Sequence, residues 1–164
     1  MQTTLQPTRQ TDIQNYTASI EVSASPTRSF EAVATQMNAW WTKTSEGQIE
    51  KIGDRVKVIF PPHFGFWTFE ATLIERPNLI VMRCVDARHS VAGQPDTIEQ
   101  EWMGTLINWH FDGTASGTRV LLTHDGLTPQ LACWDICQDG WNHFFKGSLK
   151  AYLDGDAPSP HSAP

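Results

Sequence analysis

A chain of 164 residues suits one domain and leaves little room for two. Twelve Lys and Arg against 18 Asp and Glu give a formal charge of −6, and the basic residues are scattered, so nothing resembles the clustered basic surface that nucleic acid or an anionic membrane requires. Hydrophobic residues make up only 40% of the chain, but seven Trp and eight Phe offset this, each removing about 150–250 Å² from water when enclosed.

Residues 1–14 are rich in Gln and Thr, lack periodicity and read as a mobile polar extension. They hold no apolar segment of the kind a secretory signal needs. No apolar stretch is long enough to span a bilayer. Three Cys, an odd number, do not make a disulfide framework, so a reducing cytoplasm is the expected home.

Residues 15–23 alternate, with Tyr16, Ala18, Ile20 and Val22 on one face, as a half-buried strand does. Ser25 and Pro26 then open a helix as cap and first helical residue, with an apolar stripe of Phe30, Val33, Ala34 and Met37. Residues 38–41, ending in Trp40-Trp41, read as a second short helix or turn. Strands are expected at 48–52 and 55–60 around Gly53-Asp54, at 66–75 and 79–87 around Pro77-Asn78, and at 98–111 and 118–124 around a Gly/Asp/Ser turn. That hairpin order predicts an antiparallel meander. From 129 to 153 the apolar period turns helical, with Gly140 inside the pattern and Gly155 placed to cap its end. Residues 155–164 form a Pro-rich tail that cannot continue a helix. The folded unit is therefore 15–154, and the long helix is the element able to cover the open face of the sheet.

This order resembles the START-like superfamily, also called SRPBCC or the birch-pollen-allergen fold. Within it, the chain resembles the branch named for the activator of the heat-shock protein 90 ATPase. The matching stretches are Ile20-Glu-Val-Ser-Ala-Ser-Pro26 with Ser29-Phe-Glu-Ala-Val33, the pair Trp40-Trp41, Gly117-Thr-Arg-Val-Leu-Leu-Thr-His-Asp-Gly126, and Gly140-Trp141 with Ser148-Leu-Lys-Ala-Tyr-Leu153. The resemblance implies an α+β helix-grip fold, a curved antiparallel sheet wrapped around a long C-terminal helix with a cavity between them. It also implies functional breadth, since lipid carriers, hormone receptors, polyketide cyclases and co-chaperones share this scaffold. The eukaryotic co-chaperones of that branch carry a separate N-terminal domain with no counterpart among these residues.

In such a fold the aromatic set Trp40, Trp41, Phe64, Trp67, Phe69, Trp102, Trp134, Trp141 and Phe145 reads as an apolar ligand pocket, set against the plainer reading of ordinary core. His124 shares the inward face of its strand with Val120 and Leu122. It reads as a polar anchor or an acid/base, or as a core histidine satisfied by its neighbours. Glu99 and Glu101 share a face of the expected 98–111 strand, either as a proton-sharing pair or as wet strand-end carboxylates. Which face of that strand looks inward stays open. Arg83, Arg88 and His89 sit where an anionic head group would meet them, or at the surface. Cys133 and Cys137 lie four apart on a helix with His143 further on, but a zinc site wants more ligands and tighter spacing, so the pair reads as packing and neither metal nor cofactor is expected.

No nucleophile elbow, phosphate loop or metalloprotease signature is present, so no catalytic residue is assigned. The expected function is binding of an apolar or amphipathic small molecule in the sheet–helix cavity. The alternatives are a cyclase- or dehydratase-type enzyme using the same cavity and a chaperone-associated regulator. A homodimer and a chaperone partner remain open.

Overall fold

The computed structural model describes residues 14–163. Seven antiparallel strands form one sheet in the order β1-β7-β6-β5-β4-β3-β2. Strand β1 (Tyr16–Val22) pairs with β7 (Gly117–Asp125), then β6 (Leu106–Thr114), β5 (Leu79–His89), β4 (Gly65–Glu75), β3 (Arg55–Phe60) and the short β2 (Thr44–Glu46) follow in order. Two register shifts in the β4–β5 ladder, between Thr68 and Phe69 and between Ala71 and Leu73, give the bulges that bend a sheet.

The expected alternation in β1 buries Tyr16, Ile20 and Val22. Helix α1 (Pro26–Thr35) starts where capping chemistry places it: the Ser25 hydroxyl accepts the Arg28 N–H at 3.1 Å, and Pro26 needs no donor partner. It buries Phe30, Ala32, Val33 and Ala34. The single turn α2 (Met37–Trp40) follows and seats Trp40 in the core, its indole N–H donating to the Ala32 carbonyl at 2.9 Å.

Two expected strands are not strands as drawn. Residues 48–52 form a loop, and the partner of β3 is Thr44–Glu46 instead. The Asp54 carboxylate accepts the backbone N–H groups of Glu50 and Lys51, and Ile49 N–H donates to the Ala34 carbonyl. The backbone there is satisfied away from the ladder. The predicted 98–111 strand begins only at Leu106. Ahead of it runs a 3₁₀ turn, Asp96–Gln100, and then a tight turn over residues 101–104.

The C-terminal helix is also more complex than its pattern. It starts at Trp134 as α3 (Trp134–Trp141), widens into a π-helical segment (Asn142–Leu149), and returns to α-helix as α4 (Lys150–Leu153). Its inner face buries Cys137, Trp141, Phe145, Ser148, Leu149 and Leu153. Each large apolar side chain so enclosed contributes roughly 1.5–3 kcal/mol. Gly155, at φ +84°, ends it: Asp156 N–H donates to the Ala151 carbonyl and Gly155 N–H to that of Tyr152, the paired bonds of a left-handed glycine cap.

The chain then turns back. His161 N–H donates to the Trp41 carbonyl and Lys43 N–H to the His161 carbonyl, both at 2.9 Å. One His161 ring nitrogen lies 2.6 Å from the Pro61 carbonyl oxygen, and Ser159 N–H donates to the Ser148 hydroxyl. The tail is strapped across the mouth of the sheet–helix space.

Candidate functional site: an aromatic cavity between sheet and helix

A cavity of about 290 Å³ opens between the sheet and the C-terminal helix. The sheet side supplies Phe60 from β3, Trp67 from β4 and His89 from the end of β5; the helix supplies Ile136, Cys137, Gly140, Trp141 and Phe144. Trp41, Phe64, Val91, Trp102 and His161 close the remaining walls and the mouth. The rings interlock: Trp102 stacks on Trp141 at 5.9 Å and 10°, Trp41 meets Trp141 at 5.0 Å, and Trp67 meets Trp102 at 5.1 Å. A Cβ built on Gly140 meets no atom within 4 Å. This glycine therefore leaves open space in the wall rather than admitting a close backbone approach.

Five of the expected pocket residues line this space: Trp41, Phe64, Trp67, Trp102 and Trp141. The other five lie outside it. Trp40, Phe69 and Phe145 are fully enclosed core, and Trp134 is half-buried on the helix.

His124 is sealed in the core with both nitrogens engaged, so the satisfied-histidine reading is the one the structure supports. Trp141 Nε1–H donates to its Nδ1 at 3.1 Å, which makes Nδ1 the acceptor and places the proton on Nε2. Nε2–H then donates to the Thr105 hydroxyl at 2.9 Å, and that hydroxyl donates to the Trp102 carbonyl at 2.7 Å. Burial pushes the His124 pKa down to about 3. The imidazole stays neutral and holds two cavity-wall tryptophans in place.

Sequence reasoning missed Phe60, Val91, Ile136, Phe144 and His161 as wall residues. Gly140, inside the helical pattern, reads from sequence as a kink or a close backbone approach, not as open wall. His89 was read as a possible contact for an anionic head group, but burial lowers its pKa against the opposing charge of Glu101, and Arg83 and Arg88 face solvent. Glu99 and Glu101 do not form a pair. Glu99 is exposed and lies 3.8 Å from Arg88. Glu101 turns the other way, its two oxygens accepting the Ala132 and Cys133 N–H groups at 2.9 and 3.0 Å.

Two wall residues keep unspent polar atoms. Among the described residues, Trp67 Nε1 and His89 Nδ1 are buried without a hydrogen-bond partner. An unmet buried donor or acceptor costs about 1–3 kcal/mol. Among the described residues no helix is long and apolar enough to cross a membrane.

A seven-stranded antiparallel sheet gripping a C-terminal helix, with a cavity at their junction, defines the START-like helix-grip class. Residues 23–154 match the family profile described as Activator of Hsp90 ATPase homolog 1-like protein, and the chain belongs to that family. Its fold is similar to that of the Aha1 dimer from Colwellia psychrerythraea, with a TM-score of 0.67, 23% identity, and 86% of this chain and 96% of that chain covered. A protein from Mesorhizobium loti gives 0.66 at 16% identity over 87% and 98% of the two chains. DynU16, a protein in the dynemicin biosynthetic locus, gives 0.62 at 17% identity over 87% of this chain and 48% of that one. No curated protein sequence matches the chain.

Proposed function

We propose that the protein binds a small apolar or amphipathic molecule in the sheet–helix cavity. The observation that carries this is a space of about 290 Å³ walled by aromatic rings, with two wall residues, Trp67 and His89, each holding a buried polar atom that the described residues leave unpaired. Ligand sites are mostly apolar with a few placed polar groups, and this volume stands at the lower end of their roughly 300–1,000 Å³ range. The fitting ligand is compact, carries a flat apolar body and presents an acceptor to the Trp67 N–H. The likeness to a protein from a biosynthetic locus supports a small-molecule role. Fluorescence titration with a small aromatic ketone tests it, because Trp41, Trp67, Trp102 and Trp141 all line the wall. Saturable quenching is expected in the wild type, weakened at least tenfold in Gly140→Leu, whose side chain enters open space. Equal affinity in both proteins would sink the reading.

The family itself favours a second reading, a regulator acting on the heat-shock protein 90 ATPase through its outer surface. Under it, adding the protein to that chaperone raises ATP turnover, and Gly140→Leu leaves the stimulation unchanged. The likeness to a dimeric relative supports self-association, which light scattering of the purified chain reads directly.

A further inference from the structure

One wall of the cavity carries a chemistry that an aromatic ligand does not use. Cys133 and Cys137 lie at the start of α3, and their sulfurs touch at 2.6 Å. A ring nitrogen of His89, from the end of β5, completes a group of three donor atoms that all lie within 4.8 Å of one another. All three residues are buried, His89 and Cys137 at 6% exposure and Cys133 at 0%. His89 Nδ1 is one of the four buried side-chain polar atoms without a hydrogen-bond partner among the described residues. The histidine further along the helix, His143, is exposed and near the Ser159 carbonyl, so the fold replaces the sequence neighbour with one from the sheet.

Two thiols and an imidazole are a soft to borderline donor set, the ligand types that zinc takes. We propose that Cys133, Cys137 and His89 bind a divalent metal ion of the zinc class, with its fourth coordination position facing the aromatic cavity. Charge favours a divalent ion: two thiolates and one dication sum to zero, which suits an apolar wall, whereas a monovalent ion leaves a net buried charge. Binding releases two protons, one from each thiol, to solvent. The Trp102 indole N–H already donates to Cys137 Sγ at 3.2 Å, the outer hydrogen bond that steadies a thiolate ligand. Glu101, the nearby carboxylate, is occupied by the Ala132 and Cys133 N–H groups, so it leaves the fourth position to a water or to a donor atom of a cavity ligand. Tetrahedral zinc with bonds of ~2.3 Å holds sulfurs about 3.8 Å apart, so the two thiols open by side-chain rotation on binding. A disulfide between them, which needs an external two-electron oxidant such as dioxygen and releases two protons, is the competing chemistry, and it leaves His89 Nδ1 unpaired.

The inference does not depend on the organic ligand, and its test uses none. The full chain, reduced and kept free of oxygen, is titrated with Co²⁺ and then Zn²⁺. The expected result is one equivalent of Co²⁺ with thiolate-to-metal charge-transfer absorption, release of two protons, and loss of the colour on adding one equivalent of Zn²⁺. Cys133→Ser, Cys137→Ser and His89→Gln, each with an unchanged far-ultraviolet circular dichroism spectrum, lose the signal. Should a variant fail to fold, the wild-type charge-transfer band and proton count decide alone. Absence of that band in folded, reduced wild type at saturating Co²⁺ overturns the proposal. So does binding that survives in the Cys133→Ser/Cys137→Ser double variant.

Discussion

His124 shows how a buried titratable group acts through its neighbours. Its Nδ1 accepts the Trp141 N–H, so protonation there forces two donors against each other and breaks the bond that positions a cavity wall. The unfolded chain takes up this proton at the ordinary histidine value of 6.5, and the folded chain resists until about 3. Between those values the unfolded state binds more protons, so stability is complete above pH 6.5 and falls as pH drops toward 3, by about 1.4 kcal/mol per pH unit. Asp54, held down to about 2 by Lys51 and two backbone N–H groups, adds its own loss only below the carboxylate range. The expectation for His124→Asn is a protein about 1–3 kcal/mol weaker at pH 7 with a flatter profile between pH 6.5 and 4.5. Urea midpoints across that window check it; parallel curves would remove His124 as the source. The histidine was legible as inward-facing from strand alternation, because period-2 geometry is local. Its partners were not, because Trp141 and Thr105 arrive from other elements.

The largest misreading among the elements is the segment before β6. Residues 98–111 read as a continuous strand, yet only the part from Leu106 pairs. What overrides the pattern is a turn around Gly104, at φ +81°, with Gly104 N–H donating to the Cys84 carbonyl and Cys84 N–H to the Thr105 carbonyl. That turn swings Trp102 across the cavity and sends Glu101 to the start of the C-terminal helix. Cys133, at the cap position of α3, supplies no side-chain cap bond, and the Glu101 carboxylate instead accepts the amides of Ala132 and of Cys133 itself, from 31 and 32 residues away. Glu101→Ala should cost about 0.5–2 kcal/mol, the usual worth of a cap. Hydrogen exchange at the Ala132 and Cys133 amides is the measure: protection falls there first, and no local change would show the contact to be incidental. A cap borrowed from a distant turn leaves no local motif, so residues 129–133 read as helix when they are not. The π-helical segment was equally invisible, since its residues keep an apolar face under either period.

Seen as a whole, the molecule is a grip closed by a strap. The family match ends at residue 154, yet His161 lines the cavity, packs on Phe60 and Phe64 at 5.2 and 5.9 Å, and hydrogen-bonds to the backbone of Trp41 and Lys43 between α2 and β2. A chain ending at residue 157 should lose about 2–6 kcal/mol, from two backbone bonds and two bonds that use the Ser148 and His161 side chains at ~0.5–1.5 kcal/mol each. It should also release a small aromatic ligand faster through the opened mouth. Thermal melting and stopped-flow fluorescence read the two effects, and unchanged dissociation would show that the tail does not gate the cavity.

The helix-grip architecture was read from the family resemblance; periodicity and local signals were enough for the hairpin order of β4 to β7, the Ser25 and Gly155 caps and the inward set of β1 and β7. Each of these follows from contacts within a few residues: alternation, a capping hydroxyl, a left-handed glycine. The cavity wall was decided by tertiary structure. Phe60, His89 and His161 come from β3, the end of β5 and the returning tail, and Cys137, Gly140 and Phe144 face them from the helix. The pairing of His89 with two cysteines some 44 to 48 residues away (133 − 89 and 137 − 89) exists only because the sheet curves beneath that helix. A linear pattern encodes which residues can be buried; the meeting of three donor atoms at one point depends on how separate elements cross.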